Sequence, residues 1–371
     1  QEASDALNAF GELYLKQSLA SGVVPKITAV FGNCGGGMAV ASAMSDFTFM
    51  ESKKGKLFVN SPNALAGNDA SKCDTSAAKF QSEEVGIVDV VAEEAELIAQ
   101  IRELVSMLPA NNEDDLSYAD CEDDLNRVCA DLEASAADPA IALPMISDDG
   151  VFFETKAEYG KDMVTGFIKL NGTTVGAVAN RSTLYDEEGN AVEQFNAEIS
   201  ARGCEKAASF VKFCDAFNIP VLTLTNAAGF KATKCTEKKI AKAAAALTAA
   251  FAEADVPKVN VITGKAFGSA YVTMNSKGLG ADMVYAWPNA QIGMMDAKLA
   301  VKVMYPEADA KELREKAAAY AELQNSVASA AKRGYVDTVI DAQDTRKYVI
   351  GAFEMLFTKR EDRPGKKHGT V

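Results

Sequence analysis

Apolar residues follow two different spacings along the chain. Short apolar runs flanked by polar or turn-forming residues have the length of buried strands, and they occur at residues 163–170, 174–179 and 221–225. Apolar residues three to four positions apart indicate helices, and they occur at residues 93–107, 204–217, 238–254 and 311–332. The opening segment from Leu7 to Leu19 has the same helical spacing, whereas the acidic segment 185–198 has neither spacing and is predicted to be a loop. Strands that alternate with helices predict an α/β fold.

One stretch of sequence occurs twice, 232 residues apart. Residues 24–32 (VPKITAVFG) resemble residues 256–264 (VPKVNVITG). At the same offset, three residues of a glycine-rich turn align with three others: Gly36, Gly37 and Met38 with Gly268, Ser269 and Ala270. Each copy ends in an apolar run led by an aspartate, Asp46 or Asp282, which we interpret as structural acids rather than as a carboxylate pair. A repeat of this kind predicts two homologous halves.

Each copy of the repeat has the pattern strand, glycine turn, short helix, strand. Glycine permits positive φ where a strand turns into a helix, and two parallel strands joined by a helix are expected in each half. A polar segment at residues 111–115, followed by an acid-rich stretch to Asp124, separates the halves. The predicted domains are therefore a first half at 1–112, an acidic linker with a connecting helix at 113–147, and a second half at 148–371. The first half has one strand–helix unit fewer before its turn, so it is expected to be truncated at its N-terminus.

The two glycine turns are candidate functional sites. A helix N-terminus presents backbone N–H groups without helical partners and the positive end of the helix dipole. Two such N–H groups directed at one point can stabilise an oxyanion or bind a phosphate. Neither copy has the pattern of a P-loop or of a dinucleotide-binding turn. The residues alone leave two interpretations open: a pair of oxyanion holes, or two tight packing sites copied by duplication.

Composition argues against several classes of binding and catalysis. The 371 residues carry a net charge of −14, from 52 acidic and 38 basic side chains, which argues against nucleic-acid binding. The seven cysteines form no C-x-x-C pair, a pattern that favours reduced thiols in a cytoplasmic protein without a metal site. His368 is the one histidine, so a Ser-His-Asp triad or a Cys-His dyad is not expected. Any chemistry at the turns must depend on something other than histidine.

Further motifs accompany the repeat. They lie at residues 31–37, 46–50, 108–112, 164–167, 210–220, 265–271, 274–277, 280–288, 333–337 and 358–369. In this combination the sequence resembles the carboxyltransferase subunits of biotin-dependent acyl-CoA carboxylases, transcarboxylases and decarboxylases, the propionyl-CoA carboxylase β type. The resemblance covers almost the whole chain. It implies an α/β architecture of two crotonase-like halves and transfer of a carboxyl group between carboxybiotin and the α-carbon of a short acyl-CoA.

The resemblance also assigns roles to the two turns. In the first half it implies that backbone N–H groups of Gly36 and Gly37, with Met38 and Gly35 beside them, hold the acyl-CoA. In the second half it implies that Ser269 and Ala270, preceded by Gly268, hold biotin. Four more residues are then expected to line the substrate sites: Phe267, Tyr271, Gly229 and Phe230.

The same resemblance implies cofactors and partners. Biotin is expected on a partner carrier protein, a coenzyme A thioester is the substrate, and no metal is expected in this chain. The partners it implies are a biotin carboxyl carrier protein together with a biotin carboxylase or a membrane decarboxylase subunit. It further implies a homo-oligomer built from dimers, and a hexamer is one such assembly.

The segment 226–235 departs from the family pattern. Family members have Asp-x-Pro-Gly-Phe followed by a Gln-Glu pair and a Gly-Ile-Ile-Arg helix start, whereas this chain has Asn-Ala-Ala-Gly-Phe and then Lys-Ala-Thr-Lys-Cys. Two alternatives therefore stay open: a hydratase or isomerase of the crotonase type, and a non-catalytic assembly subunit. A basic cluster at Lys53, Lys54 and Lys56 is either a solvated turn or a contact for the phosphates of coenzyme A.

Overall fold

The computed structural model describes residues 2–114 and 120–366. Contacts between residues divide the chain into two compact units. The first unit consists of residues 1–117, 155–160 and 216–218, and the second of residues 118–154, 161–215 and 219–371. The domain limits derived from the sequence remain a prediction.

The first unit begins with a long helix and then alternates short strands with helices. Its elements are α1 (Glu2–Ala20), β1 (Ile27–Val30), β2 (Asn33–Gly35), α2 (Gly37–Ala43), β3 (Phe47–Glu51), β4 (Lys56–Phe58), α3 (Ala78–Phe80), β5 (Val90–Ala92) and α4 (Glu94–Met107). Parallel strands form one sheet in the order β1-β3-β5, and β2 pairs with β4 in a second parallel pair. Buried apolar side chains such as Val30, Met50 and Leu57 pack together as the core of this unit.

The second unit contains the larger sheet. Its helices are α5 (Leu132–Ser135), α6 (Pro139–Ile146), α7 (Ala201–Ala216), α8 (Lys234–Glu237), α9 (Ile240–Glu253), α10 (Gly268–Thr273), α11 (Ala297–Met304), α12 (Ala310–Tyr320), α13 (Val327–Lys332) and α14 (Thr345–Leu356). Its strands are β6 (Phe152–Thr155), β7 (Met163–Leu170), β8 (Thr173–Asn180), β9 (Thr183–Tyr185), β10 (Ala191–Gln194), β11 (Glu198–Ile199), β12 (Val221–Ala227), β13 (Gly229–Phe230), β14 (Lys258–Phe267), β15 (Met283–Ala286), β16 (Gln291–Gly293) and β17 (Thr338–Val339).

Most strands of the second unit join one sheet. The order is β17-β15-β14-β12-β8-β7-β6, and β16 also pairs with the end of β14. Strands β8, β12, β14 and β15 run parallel, whereas β7 and β8 are antiparallel. Strands β7, β8 and β12 are buried along nearly their whole length, which explains their continuous apolar runs. The three strands predicted from these runs are confirmed.

Two predicted elements differ from the structure. Segment 185–198 is not a plain loop, because β9 and β10 form an antiparallel hairpin whose turn is held by Asp186, which accepts the N–H groups of Glu188 and Asn190. Since β10 is exposed at every position, it has no alternation of apolar and polar residues to reveal it. The helix predicted at 238–254 is confirmed as α9, which starts two residues later than predicted because the backbone of Lys239 lies outside the helical region (φ −129°, ψ −21°).

The second difference concerns the helix predicted at 311–332. It consists of α12, a π-helical segment at residues 321–325, and α13. The side chain of Ser326 accepts the N–H of Ser329 and starts α13 as a new helix. No helix within the described part of the chain combines the length and apolar character that a membrane crossing requires.

Candidate active site

The first glycine turn connects β2 to α2. Gly36 lies between them with φ +59° and ψ −126°, a conformation that residues with a Cβ rarely adopt. Its N–H donates a 2.9 Å hydrogen bond to the carbonyl of Phe58 on β4. The chain then enters α2 at Gly37, so the N–H groups at the start of α2 have no partner within the helix.

The neighbouring glycines of this turn are required by close approach. A Cβ on Gly35 would lie 2.8 Å from the ring of Phe58. A Cβ on Gly37 would lie 2.9 Å from the hydroxyl of Tyr14 and 3.0 Å from the ring of Phe10. The Tyr14 hydroxyl also donates to the carbonyl of Gly37 at 2.8 Å. Helix α1 is therefore packed directly against the first turn.

The second turn connects β14 to α10 in the same way. Gly268 has φ +57° and opens α10, and a Cβ added to it would lie 3.0 Å from the carbonyl oxygen of Met294. Ser269 is exposed and Ala270 is buried. The positive-φ glycines of the two turns are thus 232 residues apart, which is the offset of the sequence repeat. The prediction that both glycine turns lie at helix N-termini is confirmed.

Hydrogen bonds around the two turns are also repeated. The backbone N–H of Lys26 donates to Oδ2 of Asp46 at 2.7 Å, and that of Lys258 donates to Oδ2 of Asp282 at 2.7 Å. Each lysine Nζ donates to two backbone carbonyls within its own unit. Burial is the main reason why the pKa of Lys258 is lowered to about 8. Both aspartates hold the start of a strand, so their interpretation as structural acids is confirmed.

The strand pairs beside the turns share one register. In the first unit Cys34 pairs with Leu57, and in the second Ala266 pairs with Ile292. Cys34 and Ala266 are again 232 residues apart. Each turn is therefore supported by an equivalent short parallel strand pair.

Residues predicted to line the second site lie around α10. Strand β13, with Gly229 and Phe230, contacts α10 and pairs with β11. Phe267 is 3% exposed and Tyr271 is 9% exposed, and burial raises the pKa of Tyr271 to about 12. Tyr271 packs with buried apolar residues of the second unit such as Ile262 and Val284. The structure thus groups these residues at one turn, and their contact with a ligand remains a prediction.

Two residues that support this region were missed in the sequence. Asn226, at the end of β12, accepts the N–H of Lys265 at 2.9 Å and exchanges two hydrogen bonds with Asn180. Asn325, in the π-helical segment, is 1% exposed and donates to the carbonyl of Met295 at 3.0 Å. A signal in the sequence exists for Asn226 only, because this residue stands where the family pattern has Asp.

The basic cluster of the first unit is largely neutralised. Lys53 forms an ion pair with Glu93, and Lys56 forms one with Asp74 at 2.6 Å. Its contact with phosphates therefore loses support, and the solvated-turn interpretation is favoured.

Titratable side chains show no grouping of metal ligands in the region described. In residues 2–114 and 120–366, His, Cys, Asp and Glu side chains do not gather in threes around a point that could hold a metal ion. His368 lies outside the described residues.

The whole chain, residues 1–371, matches the model of the carboxyl transferase domain family. It is 35% identical to the methylmalonyl-CoA decarboxylase subunit alpha of Propionigenium modestum over 396 residues, covering 100% of this chain and 73% of that protein. It is 36% identical to the propionyl-CoA carboxylase carboxyltransferase subunit of Haloferax mediterranei, with the same two coverages. The first relative is named for decarboxylation of methylmalonyl-CoA and the second for carboxylation of propionyl-CoA.

Solved structures give the same result for the fold. Transcarboxylase 12S, solved as a hexamer with hydrolysed methylmalonyl-coenzyme A bound, superposes with a TM-score of 0.92 at 34% identity and covers 100% of this chain and 73% of its own. A single-chain, multi-domain long-chain acyl-CoA carboxylase has a TM-score of 0.75 at 22% identity over 91% of this chain and 33% of its own, a likeness that concerns the fold alone. Repeat, turns and comparisons agree: the chain is a carboxyltransferase of crotonase-like α/β fold and belongs to the carboxyl transferase family.

Proposed function

We propose that this chain transfers a carboxyl group between carboxybiotin and the α-carbon of a short acyl-CoA, through one oxyanion hole in each unit. One observation carries the proposal. Two strand–glycine–helix turns recur at the same offset, with φ +59° at Gly36 and +57° at Gly268. A reaction in which two carbonyl-type oxygens gain negative charge needs two such sites.

The first turn is assigned to the acyl-CoA. The N–H groups of Gly36, Gly37 and Met38 are the candidates for contact with the thioester oxygen, although Gly36 already donates to a carbonyl of β4. That leaves Gly37 and Met38 as the principal donors. Met38 is 47% exposed, so a ligand can approach the start of α2. An oxyanion bound there is stabilised by dipoles that are already oriented.

The second turn is assigned to biotin. Ser269 and Ala270 present N–H groups in the first turn of α10, and the exposed position of Ser269 allows a ureido oxygen to approach. Phe267, Tyr271, Gly229 and Phe230 form the surroundings of this turn. When bound, biotin supplies the carboxyl group and the base for the acyl-CoA α-proton. The protein then needs to orient the two reactants and polarise their oxygens, and it needs no histidine.

Partners follow from the same assignment. The biotin is carried by a separate carrier protein, charged by a biotin carboxylase or serving a membrane decarboxylase subunit. The chain acts as a cytoplasmic homo-oligomer built from dimers, and the hexamer of transcarboxylase 12S is the model for its assembly. Both directions, carboxylation and decarboxylation, are compatible with the two turns.

Two other functions predict different activities. A hydratase or isomerase of the crotonase type needs one oxyanion hole and an acid–base carboxylate, which leaves the second turn without a role. A non-catalytic assembly subunit is favoured by the altered segment 226–235, which lacks the Gln-Glu pair and the Gly-Ile-Ile-Arg helix start of the family pattern.

The test is turnover by the full chain. Malonyl-CoA and methylmalonyl-CoA are incubated with and without free biotin, and acyl-CoA products are followed by chromatography. Biotin-dependent loss of the carboxyl group is expected. Hydration of crotonyl-CoA without biotin dependence would instead identify a hydratase, and inactivity on every thioester would favour the assembly subunit.

A further inference from the structure

An exposed lysine segment lies beside the second turn. It consists of the lysines between residues 231 and 242, namely Lys231, Lys234, Lys238, Lys239 and Lys242. All five are exposed, and Glu237 is the one acid among them. Within the described residues no acidic side chain forms an ion pair with any of the five lysines. In a chain whose net charge is −14, this is a local concentration of positive charge.

The segment is held in place by ordered structure. Lys231 directly follows β13, and its N–H donates to the carbonyl of Ile199 at 2.9 Å. The side chain of Thr233 accepts the N–H of Thr236 at 3.1 Å and starts α8. Both β13 and α9 contact α10. Lys231 follows β13 and Lys242 lies on α9, so both ends of the segment adjoin elements that contact the helix whose first turn is assigned to biotin.

The size of the segment favours a protein surface as its ligand. The four lysines from Lys234 to Lys242 lie on α8, at the break at Lys238–Lys239 and on the first turn of α9. One turn of helix rises about 5.4 Å, so four separate ammonium groups spread over more than one turn match several acidic side chains better than they match one diphosphate. Exposed charges of this kind change encounter rates and their salt dependence more than they change the final affinity.

We propose that the lysine segment docks an acidic surface of the protein domain that brings biotin to the second turn. This inference rests on the proposed function, because it takes the second turn as the biotin side. Attraction between the two surfaces raises the local concentration of the biotin-bearing domain near α10. The effect is expected to weaken as ionic strength increases.

The test uses two fluorescent peptides that carry biotinyl-lysine, one flanked by Asp and Glu and one by Asn and Gln. Association with the full chain is followed by stopped-flow anisotropy at low and at high KCl concentration. The association rate constant of the acidic peptide is expected to be about tenfold higher than that of the neutral one at low salt. The preference should disappear in a Lys238→Glu/Lys242→Glu variant. It should persist in a Lys311→Glu/Lys332→Glu variant, which has the same net charge and alters exposed lysines elsewhere.

Three outcomes are decisive. An equal loss of preference in both double variants would overturn the proposal, because it would show an effect of net charge alone. A preference unaffected by Lys238→Glu/Lys242→Glu would also overturn it. A raised KM for malonyl-CoA in this variant, with unchanged peptide binding, would overturn it as well, because it would assign the lysines to coenzyme A phosphates. Turnover of free biotin, measured separately, reports on the proposed function, so its failure is distinguishable from failure of docking.

Discussion

At the scale of single residues, the proposed chemistry resides in backbone N–H groups. The side chain at 269 is exposed and should therefore matter little, so Ser269→Gly is expected to leave carboxyl transfer nearly intact. Ala270→Pro removes a donor, and its rate should fall by about 10²–10³, the range for loss of one oxyanion-hole donor. The measurement is biotin-dependent turnover of malonyl-CoA or methylmalonyl-CoA, whichever the wild-type protein turns over faster.

Correct folding of the proline variant must be checked, because Ala270 is 2% exposed and proline disfavours a helical residue before it. Circular dichroism and the midpoint of urea unfolding provide this control. A folded Ala270→Pro protein with the wild-type rate would remove the second oxyanion hole from the mechanism.

Cysteine reactivity should follow burial. Cys204 and Cys214 are buried, and burial raises the pKa of Cys204 to about 12 and that of Cys214 well above its usual value. Both thiols therefore stay protonated at pH 8 and are poor nucleophiles. Iodoacetamide followed by mass spectrometry should label the exposed Cys73 and Cys235 in the native protein. Rapid labelling of Cys214 without unfolding would contradict this prediction.

At the scale of elements, the two turns are equivalent in backbone conformation but not in packing. Alanine at either positive-φ glycine should cost about 1–3 kcal/mol of unfolding free energy, because a Cβ is strained there. Nothing lies within 4 Å of a Cβ on Gly36, whereas one on Gly268 meets the carbonyl of Met294 at 3.0 Å. Gly268→Ala should therefore destabilise more than Gly36→Ala in urea unfolding.

The two variants serve as controls for each other, since both add one methyl group at equivalent places of the repeat. Equal losses of stability would mean that the contact with Met294 relaxes without cost. A gain in stability for Gly36→Ala would contradict the conformation of the first turn.

At the scale of the whole molecule, ion pairs join segments that are far apart in sequence. Within the second unit, the guanidinium of Arg346 on α14 contacts Asp148 at 2.7 Å and Asp123 at 3.3 Å. Arg127 donates two 2.9 Å bonds to Asp123. Hydrogen bonds from Arg127 are the main reason why the pKa of Asp123 is lowered to about 2. The fold of this unit thus depends on a charged carboxylate.

This network predicts a contribution to acid sensitivity. The pKa of Asp123 is lower in the folded state than its usual 3.8, so its stabilisation is present above pH 3.8 and is lost as the pH falls toward 2. Asp123→Asn should lower the unfolding free energy at pH 7 by about 1–2 kcal/mol, and the difference from wild type should shrink below pH 4. Urea unfolding of both proteins from pH 2 to 7 measures it. A difference that is constant with pH would rule out this origin.

Assembly is the second prediction at this scale. A homo-oligomer built from dimers is expected under the proposed function, and the hexameric assembly of transcarboxylase 12S supports it. Multi-angle light scattering of the chain at micromolar concentration should give the mass of a dimer or of a multiple of it. A stable monomer that still transfers carboxyl groups would contradict the proposed arrangement.

The sequence by itself determined the features that depend on local pattern. Continuous apolar runs located β7, β8 and β12, because a strand buried on both faces has no polar side. The repeat located both glycine turns, because a positive φ between strand and helix strongly favours glycine. The roles of the other candidate site residues come from the family resemblance, and their contact with a ligand stays a prediction.

Tertiary structure decided the features that depend on contacts between residues distant in sequence. The rings of Phe10 and Tyr14 occupy the space that a Cβ on Gly37 would need, and no local pattern contains that contact. Sequence spacing predicts one helix around Asn325, but the structure has a π-helical segment there and the side chain is buried. The hydrogen bond from Asn325 to Met295 stabilises this interruption of the helix, which helix propensity alone would not produce. Local spacing fixes which face of an element is apolar, whereas the partner that covers this face is chosen only when the chain folds.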